Sequence, residues 1–209
     1  PAGVVNGLRG SEEWNQVYSY HSSSSHGCAI ERFVEDLNEN DEPIWGDLEF
    51  NCWGGNSVGQ LGDGTLDEND RGTGVMSLEG QTPLEVKTSD SNTCAKTEEG
   101  RLWCWGSRDS GIVDSAILCG NNDPRTAVCE PVQIRGLRDV REFWLGNNNV
   151  CVTTGEEARL FCWGAGNSGQ LGLAPDSDDL VDECGDPVVA EPCLRSPRDM
   201  ELTGVENLI

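Results

Sequence analysis

The chain has 209 residues, of which 37 are acidic and 14 are basic, so its formal net charge is −23. Such an acidic surface repels phosphate backbones and anionic lipids, which argues against nucleic-acid binding and membrane insertion. Only 36% of the residues are hydrophobic, while glycine is abundant with 26 residues. This composition favours an all-β fold of short strands joined by turns over a helical bundle.

Three segments of the chain resemble one another. Each begins with a cysteine-bearing stretch, and these read His26-Gly27-Cys28-Ala29, Asn92-Thr93-Cys94-Ala95 and Asn149-Val150-Cys151-Val152. A Cys-Trp-Gly stretch follows, as Phe50-Asn51-Cys52-Trp53-Gly54, Leu102-Trp103-Cys104-Trp105-Gly106 and Leu160-Phe161-Cys162-Trp163-Gly164. Six residues after each of these tryptophans stands the first glycine of Gly59-Gln60-Leu61-Gly62, Gly111-Ile112-Val113-Asp114 or Gly169-Gln170-Leu171-Gly172. The tryptophans are 52 and 58 residues apart, which indicates a repeat architecture.

The Cys-Trp-Gly stretch has the alternation of a β-strand. Leu102 and Cys104 are predicted on one face, with Trp103 and Trp105 on the other. The glycines that follow permit a tight turn with positive φ. Because a single such sheet cannot bury both of its faces, the repeats are expected to stack on one another.

These motifs resemble the repeat of the regulator-of-chromosome-condensation family, in a cysteine-rich, secreted, bacterial-type variety. The resemblance covers nearly the whole chain and implies a β-propeller with four-stranded blades. It predicts a partial propeller in which residues 1–209 form a single domain of three four-stranded blades and the start of a fourth. The expected repeats are 9–86, 87–137, 138–197 and a partial 198–209, with loop insertions at 31–49, 114–130 and 174–192.

Ten cysteines predict a set of disulfides. Repeat alignment and hairpin geometry pair the two cysteines of each repeat, because opposite positions on neighbouring strands are close enough for a disulfide. The four remaining cysteines pair locally. The predicted pairs are Cys28–Cys52, Cys94–Cys104, Cys119–Cys129, Cys151–Cys162 and Cys184–Cys193. Zinc is the alternative, but the chain has no Cys-x-x-Cys pair and only two histidines. Since such disulfides rarely persist in a reducing cytosol, an extracellular, periplasmic or cell-surface location is expected.

No catalytic residues are predicted. No serine stands in a Gly-x-Ser-x-Gly elbow, and His26 aligns with Asn92 and Asn149, so a polar strand-end residue explains it. The tryptophans of the Cys-Trp-Gly strands recur at one position in every repeat, which assigns them to packing between blades. Trp45, which lies in the insertion at 31–49, is the better candidate contact residue; a small satellite core under the loop is the alternative.

Two acidic loops are candidate calcium sites, since calcium takes carboxylate and carbonyl oxygens from flexible loops. The candidate ligands are Asp63, Asp67 and Asp70 in the first loop and Asp176, Asp178 and Asp179 in the second. Solvated surface is the simpler interpretation, and no other cofactor or metal is predicted.

The sequence therefore predicts a non-catalytic extracellular binding or structural module that presents acidic loops on a disulfide-stapled propeller. Its expected partners are another protein, or further copies of itself through open blade faces, because three blades are too few to close a ring. Two alternatives stay open. One is a guanine-nucleotide exchange factor, as the family's founding member would imply, and the other is the repeat arm of a larger secreted enzyme.

Overall fold

The structure is a computed structural model that describes residues 15–115, 119, 127–173, 180, 182–184 and 191–200. All regular secondary structure in this part of the chain is β-strand. The strands are β1 Asn15–Ser22, β2 His26–Leu37, β3 Pro43–Trp45, β4 Glu49–Gly54, β5 Asn69–Gly74, β6 Pro83–Thr88, β7 Asn92–Thr97, β8 Leu102–Ser107, β9 Ala127–Gln133, β10 Val140–Leu145, β11 Asn149–Thr154, β12 Arg159–Ala165, β13 Asp182–Cys184 and β14 Glu191–Asp199.

The strands form three antiparallel sheets, and each sheet is a blade in which four main strands follow one another in chain order. The first blade has the order β1-β2-β4-β5, with β3 added beside β2. The second blade is β6-β7-β8-β9, and the third is β10-β11-β12-β14 with β13 at its edge. The prediction of an all-β fold with three four-stranded blades is confirmed.

The limits of the blades differ from the predicted repeat boundaries. The second blade begins at Pro83, so the boundary predicted after residue 86 falls inside its first strand. Arg198 and Asp199, predicted to open a fourth repeat, belong to β14 and complete the third blade, because Arg198 pairs with Cys162 and Asp199 with Phe161. Residues 201–209, the rest of that predicted repeat, lie outside the described part of the chain.

All three predicted loop insertions contain residues of regular strands. Within 31–49, β2 continues to Leu37 and pairs with β3, so this insertion is a β-hairpin that extends the first blade. The insertion predicted at 114–130 ends four residues too late, since β9 starts at Ala127. The insertion at 174–192 includes β13 and the start of β14, which pair with each other.

Neighbouring blades pack face to face, and the core lies between them. Cys28, Ile30 and Cys52 of the first blade form a buried cluster with Val86 of the second. We call the interface between two neighbouring blades a seam. In this first seam, the rings of Phe50 and Trp105 meet edge to face with centroids 6.0 Å apart. One face of the second blade thus packs on the first blade, and its opposite face packs on the third.

Candidate interaction face on the first blade

The tryptophans of the Cys-Trp-Gly strands join neighbouring blades by a repeated hydrogen bond. Trp105 donates its indole N–H to the backbone carbonyl of Gln60 at 2.9 Å, and Trp163 donates to the carbonyl of Ile112 at 3.0 Å. Gln60 and Ile112 occupy the same position, the second residue of the glycine-led turn, in the preceding blade. Because the acceptor is a backbone carbonyl, the same hydrogen bond forms whether the residue at this position is glutamine or isoleucine.

Glycine is required where these turns approach the next blade. A Cβ on Gly62 would lie 2.6 Å from the indole nitrogen of Trp105. A Cβ on Gly59 would lie 2.9 Å from the Sγ of Cys129, and one on Gly111 would collide with the Sγ of Cys184. The two disulfides outside the repeated hairpins therefore pack against the preceding blade's turn.

His26 contributes a second polar contact to the seam between the first two blades. Its Nε2 lies 2.7 Å from the hydroxyl of Thr93, which donates to the carbonyl of Gln60 at 2.7 Å. This network assigns the ring proton to Nε2, so Nδ1 accepts from Ser25 at 2.9 Å. Burial lowers the pKa of His26 to about 4, helped by the positive charge of His21 and opposed by Asp90.

Two lysines hold the seam between the second and third blades. Lys87 donates to the carbonyl of Phe143, and Lys96 donates to that of Arg141. Both ammonium groups also pair with the carboxylate of Glu85, at 3.1 and 2.9 Å. Burial alone would raise the pKa of Glu85, but the hydrogen bonds and charges of these lysines lower it overall.

Among the described residues, no blade covers the corresponding face of the first blade. Tyr20 pairs with Ala29 on this face, as Val86 pairs with Ala95 and Phe143 with Val152 in the later blades. Tyr20 is 58% exposed, whereas Val86 and Phe143 are 2% and 0% exposed. We call this surface, formed by Tyr20, Ala29, Glu31, Asn51 and Trp53, the open face.

An aromatic pair marks the open face. The rings of Tyr20 and Trp53 are stacked, with centroids 6.1 Å apart and planes at 17°. Trp53 is half-buried, although its counterparts Trp105 and Trp163 are fully buried in the seams. Large aromatic rings left accessible beside polar groups are typical of docking surfaces.

Trp53 also forms one wall of a cleft of about 580 Å³, together with Glu31, Asp70 and Arg71. Asn15 closes one side and donates its amide to Glu31 at 3.0 Å, while its buried Oδ1 has no hydrogen-bond partner. The cleft offers acceptor oxygens and an aromatic edge to an incoming group. No nucleophile with an activating base lies among these residues.

The structure joins the ten cysteines in the five pairs that the sequence predicts. The three pairs within the repeated hairpins have Cα atoms 4.1 Å apart and lie directly opposite one another on neighbouring strands. No bridge links one blade to another.

The predicted contact residue Trp45 is half-buried rather than exposed. It pairs with Val34 at the base of the β2–β3 hairpin. The large apolar side chains that this hairpin exposes are Leu37 and Ile44, at 53% and 45%. A contact role for Trp45 and a small satellite core under the insertion both stay predictions.

The first acidic loop is organised by its own hydrogen bonds. Asp63 accepts from the backbone N–H and hydroxyl of Thr65, at 3.0 and 2.8 Å. The buried amide of Asn56 donates to the carbonyls of Thr65 and Asp67, both at 3.1 Å. Within the described residues, Asp63, Asp67 and Asp70 do not form a metal-ligating group. Asp176, Asp178 and Asp179 lie outside the described residues, and calcium binding stays a prediction.

Sequence reasoning missed Tyr20, although a signal for it exists. Tyr20, Val86 and Phe143 each stand eight residues before the first cysteine of their repeat. Aligning these three positions predicts one apolar residue per blade at the seam.

Within the described residues, no helix could cross a membrane.

The sheet order and the repeated tryptophan contact define the class of protein, which is a β-propeller repeat module. The fold is shared with human WBSCR16, whose crystal structure superposes with a TM-score of 0.60 at 21% identity, covering 89% of this chain and 38% of that one. It is also shared with yeast RCC1 (Prp20), crystallised bound to Kap60, with a TM-score of 0.54 at 13% identity and coverages of 90% and 50%.

The family model described as "Regulator of chromosome condensation (RCC1) repeat" matches residues 85–112. The mouse regulator of chromosome condensation is 32% identical over 128 residues, which cover 61% of this chain and 28% of that protein. The ultraviolet-B receptor UVR8 of Arabidopsis thaliana is 28% identical over 132 residues, with coverages of 62% and 28%. The chain thus carries one segment that matches this repeat and is similar to RCC1-repeat proteins, and its aligned part spans about a quarter of the length of these relatives.

Proposed function

We propose that this chain is a non-catalytic protein-binding module that works outside the cytoplasm and docks partners on the open face of its first blade. The observation that carries the proposal is the 58% exposure of Tyr20 beside the half-buried Trp53, since the counterparts of both residues in the other blades are buried against a neighbouring blade. The equivalent faces of the second and third blades are covered by a neighbouring blade. An apolar face of this kind that is accessible beside polar groups is suited to protein contact.

The disulfides support the proposed compartment. All ten cysteines are paired, and three of the bridges staple the central hairpin of a blade. Closing a loop of about ten residues stabilises a fold by roughly 3 kcal/mol in the chain-entropy model, and only an oxidising environment preserves that gain. We therefore propose an extracellular, periplasmic or cell-surface location.

The acidic surface supports the choice of partner. With a net charge of −23, the chain attracts basic protein surfaces and repels nucleic acid. The cleft beside Trp53 adds Glu31 and Asp70 to the open face. The charge therefore supports a protein with a basic surface as the proposed ligand, whereas further copies of the chain would have to bind against the repulsion of like charges.

Site-specific photo-crosslinking tests the proposal in the compartment where the protein resides. A photoreactive phenylalanine analogue at Tyr20 is expected to capture protein partners in reproducible bands. The same analogue at Met76, which is 41% exposed and lies off the open face, is the matched control and is expected to capture none. Equal capture at both positions, or none at Tyr20, would overturn the proposed docking face.

A further inference from the structure

We propose that the seam between the first two blades is an acid-sensitive joint, which opens on protonation of His21 and His26 while the next seam stays closed. These are the only two histidines of the chain, and both contact the second blade across this seam. The joint lies on the covered side of the first blade, so the inference goes beyond the proposed function and does not involve the open face.

His21 caps a sheet edge of the second blade. β6 stands at the end of the strand order β6-β7-β8-β9, so its other edge faces the first blade without a ladder of that sheet. The N–H groups of Val86 and Thr88 on this edge donate to the Ser19 hydroxyl at 3.0 Å and to the His21 Nδ1 at 3.1 Å. Because Nδ1 accepts this bond, the neutral ring carries its proton on Nε2. Protonation at Nδ1 would leave the N–H of Thr88 without its acceptor.

The environment of the two rings keeps both of them neutral in the closed seam. Burial lowers the pKa of His21, and the positive charge of Lys87 on β6 lowers it further. The pKa of His26 is lowered first by burial and then by a charge on His21, while Asp90 in the β6–β7 turn opposes this shift. Glu85, also on β6, is paired with Lys87 rather than with either imidazole. Opening the seam removes the burial and lets both rings take up a proton.

Acidification therefore removes a stabilising contribution from the closed seam. Both histidines have a pKa below the ordinary value of 6.5, so their contribution is complete above about pH 6.5 and is lost as the pH falls towards the folded values. Opening would expose Val86 and Trp105, which are 2% and 0% exposed in the closed seam. Acid would thus present an apolar surface that is hidden at neutral pH.

The seam between the second and third blades is held by different groups. Lys87 and Lys96 donate to backbone carbonyls of the third blade and pair with the carboxylate of Glu85. Although burial opposes the shift, the two lysines lower the pKa of Glu85, so this carboxylate stays ionised in the range where the histidines take up protons. The second seam is therefore expected to stay closed when the first one opens.

Two equivalent indole protons report on the two seams, since the N–H of Trp105 binds the carbonyl of Gln60 and that of Trp163 binds the carbonyl of Ile112. Their protection from hydrogen exchange can be followed by NMR on the full 209-residue protein. From about pH 7 to about pH 5, the protection of Trp105 should fall about tenfold or more, while that of Trp163 stays constant. An equal fall at both indoles would indicate global unfolding and would overturn the proposal, as would constant protection at Trp105.

His21→Asn and His26→Asn remove the titrating groups one at a time. Asparagine gives position 21 an uncharged acceptor near the place of Nδ1, and it is the residue that the other two blades use at the position of His26, as Asn92 and Asn149. Each single variant should show a smaller fall in the protection of Trp105, and the double variant should show none. A fall of full size in the double variant would overturn the proposal.

The wild-type imidazoles give a test that does not depend on how the variants fold. With only two histidines in the chain, their ring C–H signals can be resolved by NMR and followed as the pH is lowered. Both rings should titrate below the ordinary pKa of 6.5, in the range where Trp105 loses protection. Titration of either ring at the ordinary value while the seam stays closed would overturn its role in the joint.

Discussion

Trp105 donates its indole N–H to the backbone carbonyl of Gln60 across the seam between the first two blades, at 2.9 Å. The same carbonyl accepts from the hydroxyl of Thr93 at 2.7 Å. The corresponding carbonyl in the next seam, that of Ile112, accepts from Trp163. The two seams share one geometry, but the Gln60 carbonyl has a second side-chain donor.

This difference predicts unequal effects of the same substitution. Trp163→Phe removes the indole donor to Ile112 and should lower the free energy of unfolding by about 1 to 3 kcal/mol, the cost of leaving a buried acceptor unsatisfied. Trp105→Phe should cost less, about 1 kcal/mol, because Thr93 still satisfies Gln60. Urea unfolding of both variants checks the order.

Trp144→Phe is the control for this series, because Trp144 is 47% exposed and its change should alter the free energy of unfolding by less than about 0.5 kcal/mol. A larger loss for Trp105→Phe than for Trp163→Phe would contradict the assignment of Thr93 as the second donor.

His26 makes the stability of the first seam depend on pH. Its folded pKa is about 4, below the ordinary histidine value of 6.5, because the ring is buried. As the pH falls below about 6.5, the His26 imidazole becomes protonated in the unfolded chain but stays neutral in the folded chain. The free energy of unfolding therefore decreases until the pH reaches about 4. The contribution of His26 is thus present above the unfolded pKa and is lost on acidification.

His26→Asn tests this dependence with the residue that the second and third blades use at the same position. Asn92 donates its amide to the carbonyls of Trp105 and Ser107, at 3.3 and 2.7 Å, so asparagine suits the fold. From about pH 7 to about pH 5, the wild type should lose about 2 kcal/mol more stability than the variant. If the free energy of unfolding depended on pH in the same way in both proteins, the assignment of His26 as a buried neutral histidine would be wrong.

Asn56 organises the first acidic loop from a fully buried position. Its amide donates to the carbonyls of Thr65 and Asp67, and its Oδ1 accepts from the backbone of Leu61 at 3.0 Å. Asn56→Ala leaves these buried groups unsatisfied and should reduce the free energy of unfolding by about 2 kcal/mol or more. Thermal unfolding measures this loss.

Asn38→Ala is the matched control. Asn38 also bonds two backbone N–H groups, those of Asn40 and Glu42, but at the tip of the exposed β2–β3 hairpin. Water can replace its bonds there, so the cost should stay below about 1 kcal/mol. Equal losses for the two variants would show that the acidic loop does not depend on Asn56.

Much of the fold could be predicted from the sequence, because the repeat places equivalent residues in equivalent strands. The pairs of Cys94 with Cys104 and of Cys151 with Cys162 follow from alignment and hairpin geometry alone. The face on which Trp105 packs follows from strand alternation.

The open face could not be predicted from the motifs, since Trp53 has the same local sequence as Trp105 and Trp163 yet a different exposure. Exposure depends on which blade covers a strand, which is a long-range property. The β2–β3 hairpin was not predicted either, because the segment 31–49 was expected to be a loop insertion, and β3 within it pairs Trp45 with Val34.

Peptide mapping of the protein, isolated from its natural compartment without reductant, tests whether each blade is closed by its own bridges while non-covalent seams hold neighbouring blades together. The expected map is 28–52, 94–104, 119–129, 151–162 and 184–193, with no free thiol. A bridge between two blades would contradict the arrangement of the blades, and free thiols throughout would contradict the proposed oxidising compartment.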